Sequence, residues 1–196
     1  MKLIASPKQN QKAFTLIEMI GVLAVIAILA ALLIPKVFSA INEARVNGVS
    51  ISVATLKTAT ADHYGKYGKF ETQGGTTALS LPCTNFDTVL MTEGLVDKPF
   101  TAKIATNSVL QLVMGGTDNI GAGPGYKLDG NIISTTNASI VVEAVLSGVA
   151  SQDAKDLNDL IDGASLGAAL GADDTKGRVE YKSPFPTTVY IYLTHR

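Results

Sequence analysis

The chain has 196 residues, with 16 basic and 17 acidic side chains and a formal net charge of −1. This length leaves room for one modest globular head beside a long helix, and the lack of a basic excess argues against a nucleic-acid-binding protein. The single cysteine, Cys83, excludes an intrachain disulfide and predicts a small, buried or half-buried thiol without a catalytic role. The head must therefore be held by packing or by a metal.

An apolar stretch runs through residues 14–34, and Glu18 is the only charged residue among these 21. As a helix it is about 30 Å long at 1.5 Å per residue, which matches the hydrocarbon thickness of a bilayer. A carboxylate at the centre of such a span costs about 2.5–3.5 kcal/mol, and less near its edge. A positive partner must offset this cost, and the best one is an α-amino group created by cutting the chain just before Phe14. Glu18 is therefore a candidate functional residue.

Charges on the two sides of the stretch predict its orientation. Three lysines precede it, whereas charges of both signs follow it, at Lys36, Glu43 and Arg45. By the positive-inside rule, the N-terminal segment stays in the cytoplasm and the rest of the chain lies outside.

The helical period continues beyond the stretch and predicts one helix from Thr15 to His63, which ends at Gly65 and Gly68. Pro35 removes one backbone hydrogen bond and should kink or locally unwind this helix. Two adjacent apolar stripes suit a helix whose second half packs against a head; they are Val37, Ile41, Ala44, Gly48 and Ile51, and Val46, Val49, Val53, Leu56 and Thr60.

The remaining sequence predicts a small antiparallel sheet with helical inserts, which makes the chain an α+β protein. Expected helices are 85–93, with a capping-box-like start at Thr84, and a second that Ser151 caps and Gly163 ends. Loops are expected at 70–82, at the glycine-rich stretch 115–125 and at 164–174. The expected strands are 108–114, 127–133 with a turn at Asp129-Gly130, 139–146, and a terminal hairpin of 178–182 with 187–194.

Few residues suggest chemistry in the head, and no catalytic residue or nucleophile motif is found. His63 and His195 have no companions at ligand spacing, so both are expected at the surface. Four aspartates at every third position, Asp153, Asp156, Asp159 and Asp162, predict a water-facing helix surface. Asp173 and Asp174 favour a solvated turn over a calcium site built with backbone carbonyls. The chain is therefore not expected to be an enzyme or to need a cofactor.

The run F-T-L-I-E at residues 14–18, after Lys2, Lys8 and Lys12 and before about 20 apolar residues, resembles the N-terminal segment of the type IV pilin and type II secretion pseudopilin family. The resemblance is strong over residues 10–45. It implies a leader at 1–13, a membrane-spanning assembly half of the helix at 14–35, an amphipathic half at 36–66 and a head at 67–196. The implied fold is pilin-like, with a long N-terminal helix packed on a small antiparallel sheet.

The resemblance also implies a processing and assembly route. A membrane prepilin peptidase would cut between Ala13 and Phe14 and methylate the new N-terminus. Thr15, Glu18 and Pro35 would then serve assembly, with the chain itself, other pilins and an inner-membrane assembly platform as partners. Ala13 replaces the glycine that the family usually has before the cut. Processing is therefore expected to be slower, or to tolerate the alanine, but not to be lost. The chain would be a single-pass protein of the bacterial inner membrane before it enters a surface pilus or a periplasmic pseudopilus.

Other interpretations of the N-terminal stretch remain open. A secretory signal peptide also has a basic start and an apolar core, but its cut after Phe38-Ser39-Ala40 would place a bulky residue where a small one is needed. A plain single-pass anchor would carry Glu18 without a role. For function, the alternatives to a pilus subunit are a pseudopilin or a surface binding protein tethered by a pilin-type leader.

Overall fold

The computed structural model describes residues 14–115, 125–132, 134–135 and 139–196. Three helices, α1, α2 and α3, are Leu16–Tyr67, Phe86–Thr92 and Ser151–Ile161. Six strands, β1 to β6, are Thr72–Gln73, Thr77–Ala78, Asn107–Met114, Ile140–Val149, Val179–Tyr181 and Thr187–His195. The chain forms two compact units, the first ending at Ile41 and the second spanning Asn42–Arg196.

Helix α1 is longer than the sequence predicts. It stays helical through Pro35, so of the two expected effects, a kink or local unwinding, the unwinding does not occur. One missing backbone donor does not interrupt a helix of 52 residues, whose other hydrogen bonds persist on both sides. The helix also continues past Gly65 and ends before Gly68, which adopts a φ of 72° and donates its N–H to the Tyr64 carbonyl at 2.7 Å. A left-handed glycine of this kind is a common helix terminator.

The second unit contains a four-stranded antiparallel sheet in the order β3-β4-β6-β5. One of the two predicted stripes of α1 is buried in the same core as the inner sheet residues; its members are Val46, Val49, Val53, Leu56 and Thr60. The other stripe is exposed, including Ile51, whose exposed fraction is 68%. The predicted α+β fold, with a long N-terminal helix packed on antiparallel strands, is confirmed.

Four of the five predicted strands are present in the structure. The predicted strand 108–114 is β3, the predicted strand 139–146 is the start of β4, and the terminal hairpin is the antiparallel pair β5–β6. The loop expected at 70–82 contains the two-residue strands β1 and β2, which pair with each other. Of the loop expected at 115–125, residues 116–124 lie outside the described residues.

The strand predicted at 127–133 is wrong for the residues that the structure describes there. Residues 128–132 form turns instead. The Asp129 carboxylate accepts the N–H groups of Asn131 and Ile132 at 2.9 and 2.7 Å, and this local pairing replaces strand hydrogen bonds. Ile133 lies outside the described residues.

Both predicted helix caps are also wrong. Helix α2 has Asn85 at its N-cap without a side-chain hydrogen bond, so the expected capping box at Thr84 does not form. The nearby Asp87 carboxylate instead accepts the N–H groups of Thr88 and Phe100. Helix α3 has Ala150 at its N-cap, and Ser151 is already helical.

Candidate assembly site

Reciprocal hydrogen bonds between Thr15 and Glu18 mark the start of α1. Glu18 Oε2 accepts the Thr15 backbone N–H at 2.8 Å and the Thr15 hydroxyl at 2.9 Å. The Glu18 backbone N–H in turn donates to Thr15 Oγ1 at 3.3 Å. This is a capping box, which satisfies N–H groups that the first turn of a helix leaves without partners. The T-x-x-E spacing that signals it is present in the sequence but was missed.

The two oxygens of the Glu18 carboxylate are not equivalent. Both of its side-chain hydrogen bonds end at Oε2, and no donor in the described part of the chain reaches Oε1. Phe14 immediately precedes this box and its side chain is 78% exposed. The residue on the other side of the predicted cut, Ala13, lies outside the described residues.

The first unit is exposed throughout its described length. Every large apolar side chain from Phe14 to Ile41 is exposed, although α1 is the one described helix long and apolar enough to cross a membrane. Fully burying one such side chain contributes about 1.5–3 kcal/mol relative to leaving it in water. The segment therefore needs lipid or other protein around it.

Gly21 and Gly48 lie within α1, where glycine is less favourable than alanine by about 0.8–1.0 kcal/mol. A Cβ added at either position would meet no atom within 4 Å. No contact among the described residues therefore requires glycine, rather than a larger residue, at these two positions.

His63 does not lie at the surface, so the prediction for it is wrong. Its side chain is completely buried, and Nδ1 lies 2.6 Å from Glu93 Oε2. Glu93 Oε1 also accepts the Gly74 N–H at 2.9 Å, and the His63 ring packs edge-on against Phe86. The pair ties the end of α1 to α2 and to the β1–β2 hairpin. His195 is half-buried beside the Tyr192 hydroxyl.

Asp173 and Asp174 have different environments. Asp173 is exposed, and the N–H and hydroxyl of Ser183 lower the pKa of its carboxyl by hydrogen bonding. Asp174 is only 2% exposed, so the predicted solvated turn is wrong for it. Its carboxylate accepts hydrogen bonds from the Asn158 amide and from two backbone N–H groups, of Ala168 and Lys176. Protein donors thus reach both oxygens of the Asp174 carboxylate. Within the described ranges, no group of three or more His, Cys, Asp or Glu side chains could hold a metal.

The predicted water-facing row of aspartates holds only in part. Asp159 is half-exposed and pairs with Lys155, as expected of a helix surface. The Asp162 side chain is nearly buried and accepts the N–H groups of Arg178 and Val179 at 2.7 and 2.8 Å. Burial raises the pKa of the Asp162 carboxyl, against the opposing effect of these hydrogen bonds. Asp162 therefore fixes the start of β5.

Cys83 is half-buried, as predicted. Its backbone pairs with Leu112 in both directions, at 3.0 and 2.8 Å, which extends the sheet beside β3 by one residue.

Comparison with known proteins identifies the N-terminal segment. Residues 8–34 match the family model described as the prokaryotic N-terminal methylation motif. No curated protein and no solved structure matches the chain. The matched range includes Ala13, Phe14, Thr15 and Glu18, so it contains the predicted cut and the capping box. Together with the exposed apolar helix, the match fits a membrane-anchored precursor that a prepilin peptidase processes and that assembles with other pilins. Residues 8–34 of this chain are the prepilin-type cleavage and methylation segment found in type IV pilins.

Proposed function

We propose that the chain is a structural subunit of a type IV pilus-like filament, polymerised through α1 with Glu18 setting the axial register. The observation that carries this proposal is the exposed apolar helix of the first unit, which begins with a carboxylate held in a capping box. Such a helix is suited first to lipid and then to the interior of a bundle of identical helices.

Adhesion between subunits comes from the apolar side chains of the first unit, among them Leu16, Ile20, Leu23, Ile26 and Leu33. Within lipid, helices associate by close packing, and small residues permit this approach. Gly21, Ala24, Ala27 and Ala31 recur at steps of 3, 3 and 4 residues. Once the helices leave the membrane, the same contacts gain the hydrophobic effect.

Register comes from Glu18. Apolar contacts are non-directional and tolerate sliding of one helix along another. A carboxylate among apolar helices does not tolerate such sliding, because a misregistered subunit leaves the carboxylate without a cation. The Phe14 amine that cleavage creates lies four residues before Glu18 in the chain, so pairing between neighbouring subunits fixes their axial offset.

The first test is the identity of the mature N-terminus. Mass spectrometry of the membrane-bound or filamentous protein should give a chain that starts at Phe14 and carries a methyl group. A start at Ile41 would support the secretory signal instead, and an intact leader would contradict processing. Electron microscopy of surface-sheared material separates a pilus, which yields long filaments, from a periplasmic pseudopilus, which does not.

A second test uses Gly48, on the exposed stripe of α1. We expect Gly48→Leu to stabilise the isolated subunit by about 0.5–1 kcal/mol, since leucine is the better helix former and the position is open. Filament yield should fall about tenfold, because extra volume in a packed contact costs about 1–3 kcal/mol. The two effects have opposite signs. Thermal melting of the helix measures the gain in subunit stability, and the amount of sheared filament measures the loss of assembly.

Gly65→Leu is the matched control for this variant. Gly65 is also inside α1 with nothing near its Cβ position, but it lies about 100° around the helix axis from Gly48. The control should gain helix stability and keep its filaments. Equal yields from the two variants would show that the Gly48 face makes no contact between subunits.

A further inference from the structure

We propose that helix α3 of one subunit docks into a groove on the second unit of the next subunit, with Leu160 in the groove and Asp156 paired with Lys98. This inference rests on the proposed function. It adds a contact between the globular parts of neighbouring subunits to the contact between their apolar helix halves.

The groove lies between residues 51–56 of α1 and the loop residues 96–101, and its volume is about 240 Å³. At one wall is Ile51, which belongs to the same exposed stripe of α1 as Gly48 and is 68% exposed. Of the described residues that line the groove, only Lys98 is charged. Lys98 is exposed, and no carboxylate in the described part of the chain forms an ion pair with it. The groove therefore suits an apolar side chain that has a carboxylate close to it.

The outer edge of α3 offers this combination. Asp156 and Leu160 are four residues apart, so they lie on one face of the helix. The Leu160 side chain is 48% exposed. The Asp156 carboxylate accepts the Gln152 amide at one oxygen, at 2.7 Å, and pairs with no cation among the described residues. We call Asp156 and Leu160 the α3 edge; it complements the groove in both polarity and charge.

The proposed register brings the α3 edge and the groove to the same level. If the Phe14 amine of one subunit pairs with Glu18 of the next, each residue of the first α1 lies level with the residue four places later in the second. This offset is about 6 Å along a helix. One symmetry operation relates every part of two neighbouring subunits, so the same offset applies to their second units. The α3 edge lies beside residues 46 and 47 of its own α1. It therefore comes level with residues 50 and 51 of the next subunit, where the groove begins.

The contact joins two different surfaces, so each added subunit leaves one α3 edge and one groove free. A contact of this head-to-tail kind builds an open filament when its rotation does not close a ring. Apolar burial alone is non-directional, and the Asp156–Lys98 pair gives the contact its orientation. Glu43 also borders the α3 edge, but the offset of four residues brings it level with Asn47, before the groove begins.

The first test exchanges the two charges in the full chain, expressed with its assembly machinery. Lys98→Glu and Asp156→Lys each bring like charges together, and each should lower filament yield per processed subunit by about three- to tenfold. The double variant restores an opposite pair and should recover most of the yield. Lys103→Glu is the matched control, because Lys103 is also exposed but does not line the groove. It should give wild-type filaments.

The second test identifies the occupant of the groove by disulfide formation. In a Cys83→Ser background, Thr101→Cys places a thiol at the groove and Leu160→Cys places one on the α3 edge. A chain with both should give a ladder of disulfide-linked multimers in oxidised, sheared filaments, since a disulfide needs Cα atoms within about 7 Å. Either cysteine alone should give no ladder.

Wild-type yield from a single charge variant, or a double variant as defective as the single ones, would overturn the docking contact. Filaments of the two-cysteine chain without a ladder would overturn it as well. Disulfide-linked dimers from Leu160→Cys alone would place a second α3 edge at this contact instead of the groove. All these results leave the proposed function standing if Glu18→Ala abolishes filaments in the same cells, whereas wild-type filaments from Glu18→Ala would contradict the proposed function itself.

Discussion

Replacing Glu18 with alanine is expected to abolish filaments while leaving membrane insertion and cleavage intact. Alanine is more apolar than glutamate, so insertion becomes easier, and the predicted cut before Phe14 lies outside the substitution. In an assembled filament the Phe14 amine would lose its counter-charge in an apolar setting. Breaking one partner of a buried pair costs about 3–5 kcal/mol, which lowers each addition equilibrium more than about a hundredfold.

The measurement is an immunoblot of surface-sheared and cell-bound fractions, with the N-terminus of each verified by mass spectrometry. Glu43→Ala is the matched control, because Glu43 is an exposed acid on the same helix. It should give wild-type filaments. Equal filament yields from Glu18→Ala and Glu43→Ala would remove the register argument.

The second large effect is expected in the head, at Asp174. Asp174→Ala leaves three donors without their acceptor, the Asn158 amide and the N–H groups of Ala168 and Lys176. Because Asp174 is buried, water does not readily replace its carboxylate as an acceptor. We therefore expect the free energy of unfolding to fall by about 3 kcal/mol. For a chain of this size that lowers the melting temperature by about 6–12 °C, measured by circular dichroism in micelles.

Asp173→Ala provides the matched control for this prediction. Its carboxylate is exposed and accepts only from Ser183 among the described residues, so water can replace it and the melting temperature should change little. A calcium chelator should leave the wild-type melting temperature unchanged if Asp174 acts through protein donors alone. Equal melting temperatures for the two variants would contradict the structural role of Asp174.

Without a disulfide, carboxylates fix the segment between α3 and β5. Asp174 binds the loop that follows α3, and Asp162 binds the first residues of β5. A single cysteine led to the prediction that packing or a metal holds the head. Buried carboxylates that accept backbone N–H groups are a third solution, and local spacing does not indicate it.

The helical stripe of α1 could be predicted because it depends only on residues three and four apart. That periodicity identified five of the seven buried residues of α1, which are Val46, Val49, Val53, Leu56 and Thr60; it did not identify Ala59 and His63. The partners of His63 could not be predicted in this way. Glu93 lies 30 residues away, and only the packing of α2 brings it to the histidine.

Local chemistry explains two other differences between prediction and structure. The strand expected at 127–133 failed because Asp129 competes for the N–H groups that a strand would use. The Thr15–Glu18 capping box was within reach of sequence reasoning, since T-x-x-E directly precedes an apolar helix.

The most direct test of register-setting by Glu18 is a reconstruction of the filament at a resolution that shows side chains. We predict that the Phe14 amine of one subunit lies within about 4 Å of Glu18 Oε1 in the next, the usual limit for an ion pair. A filament in which Glu18 contacts no amine of another subunit would contradict the account.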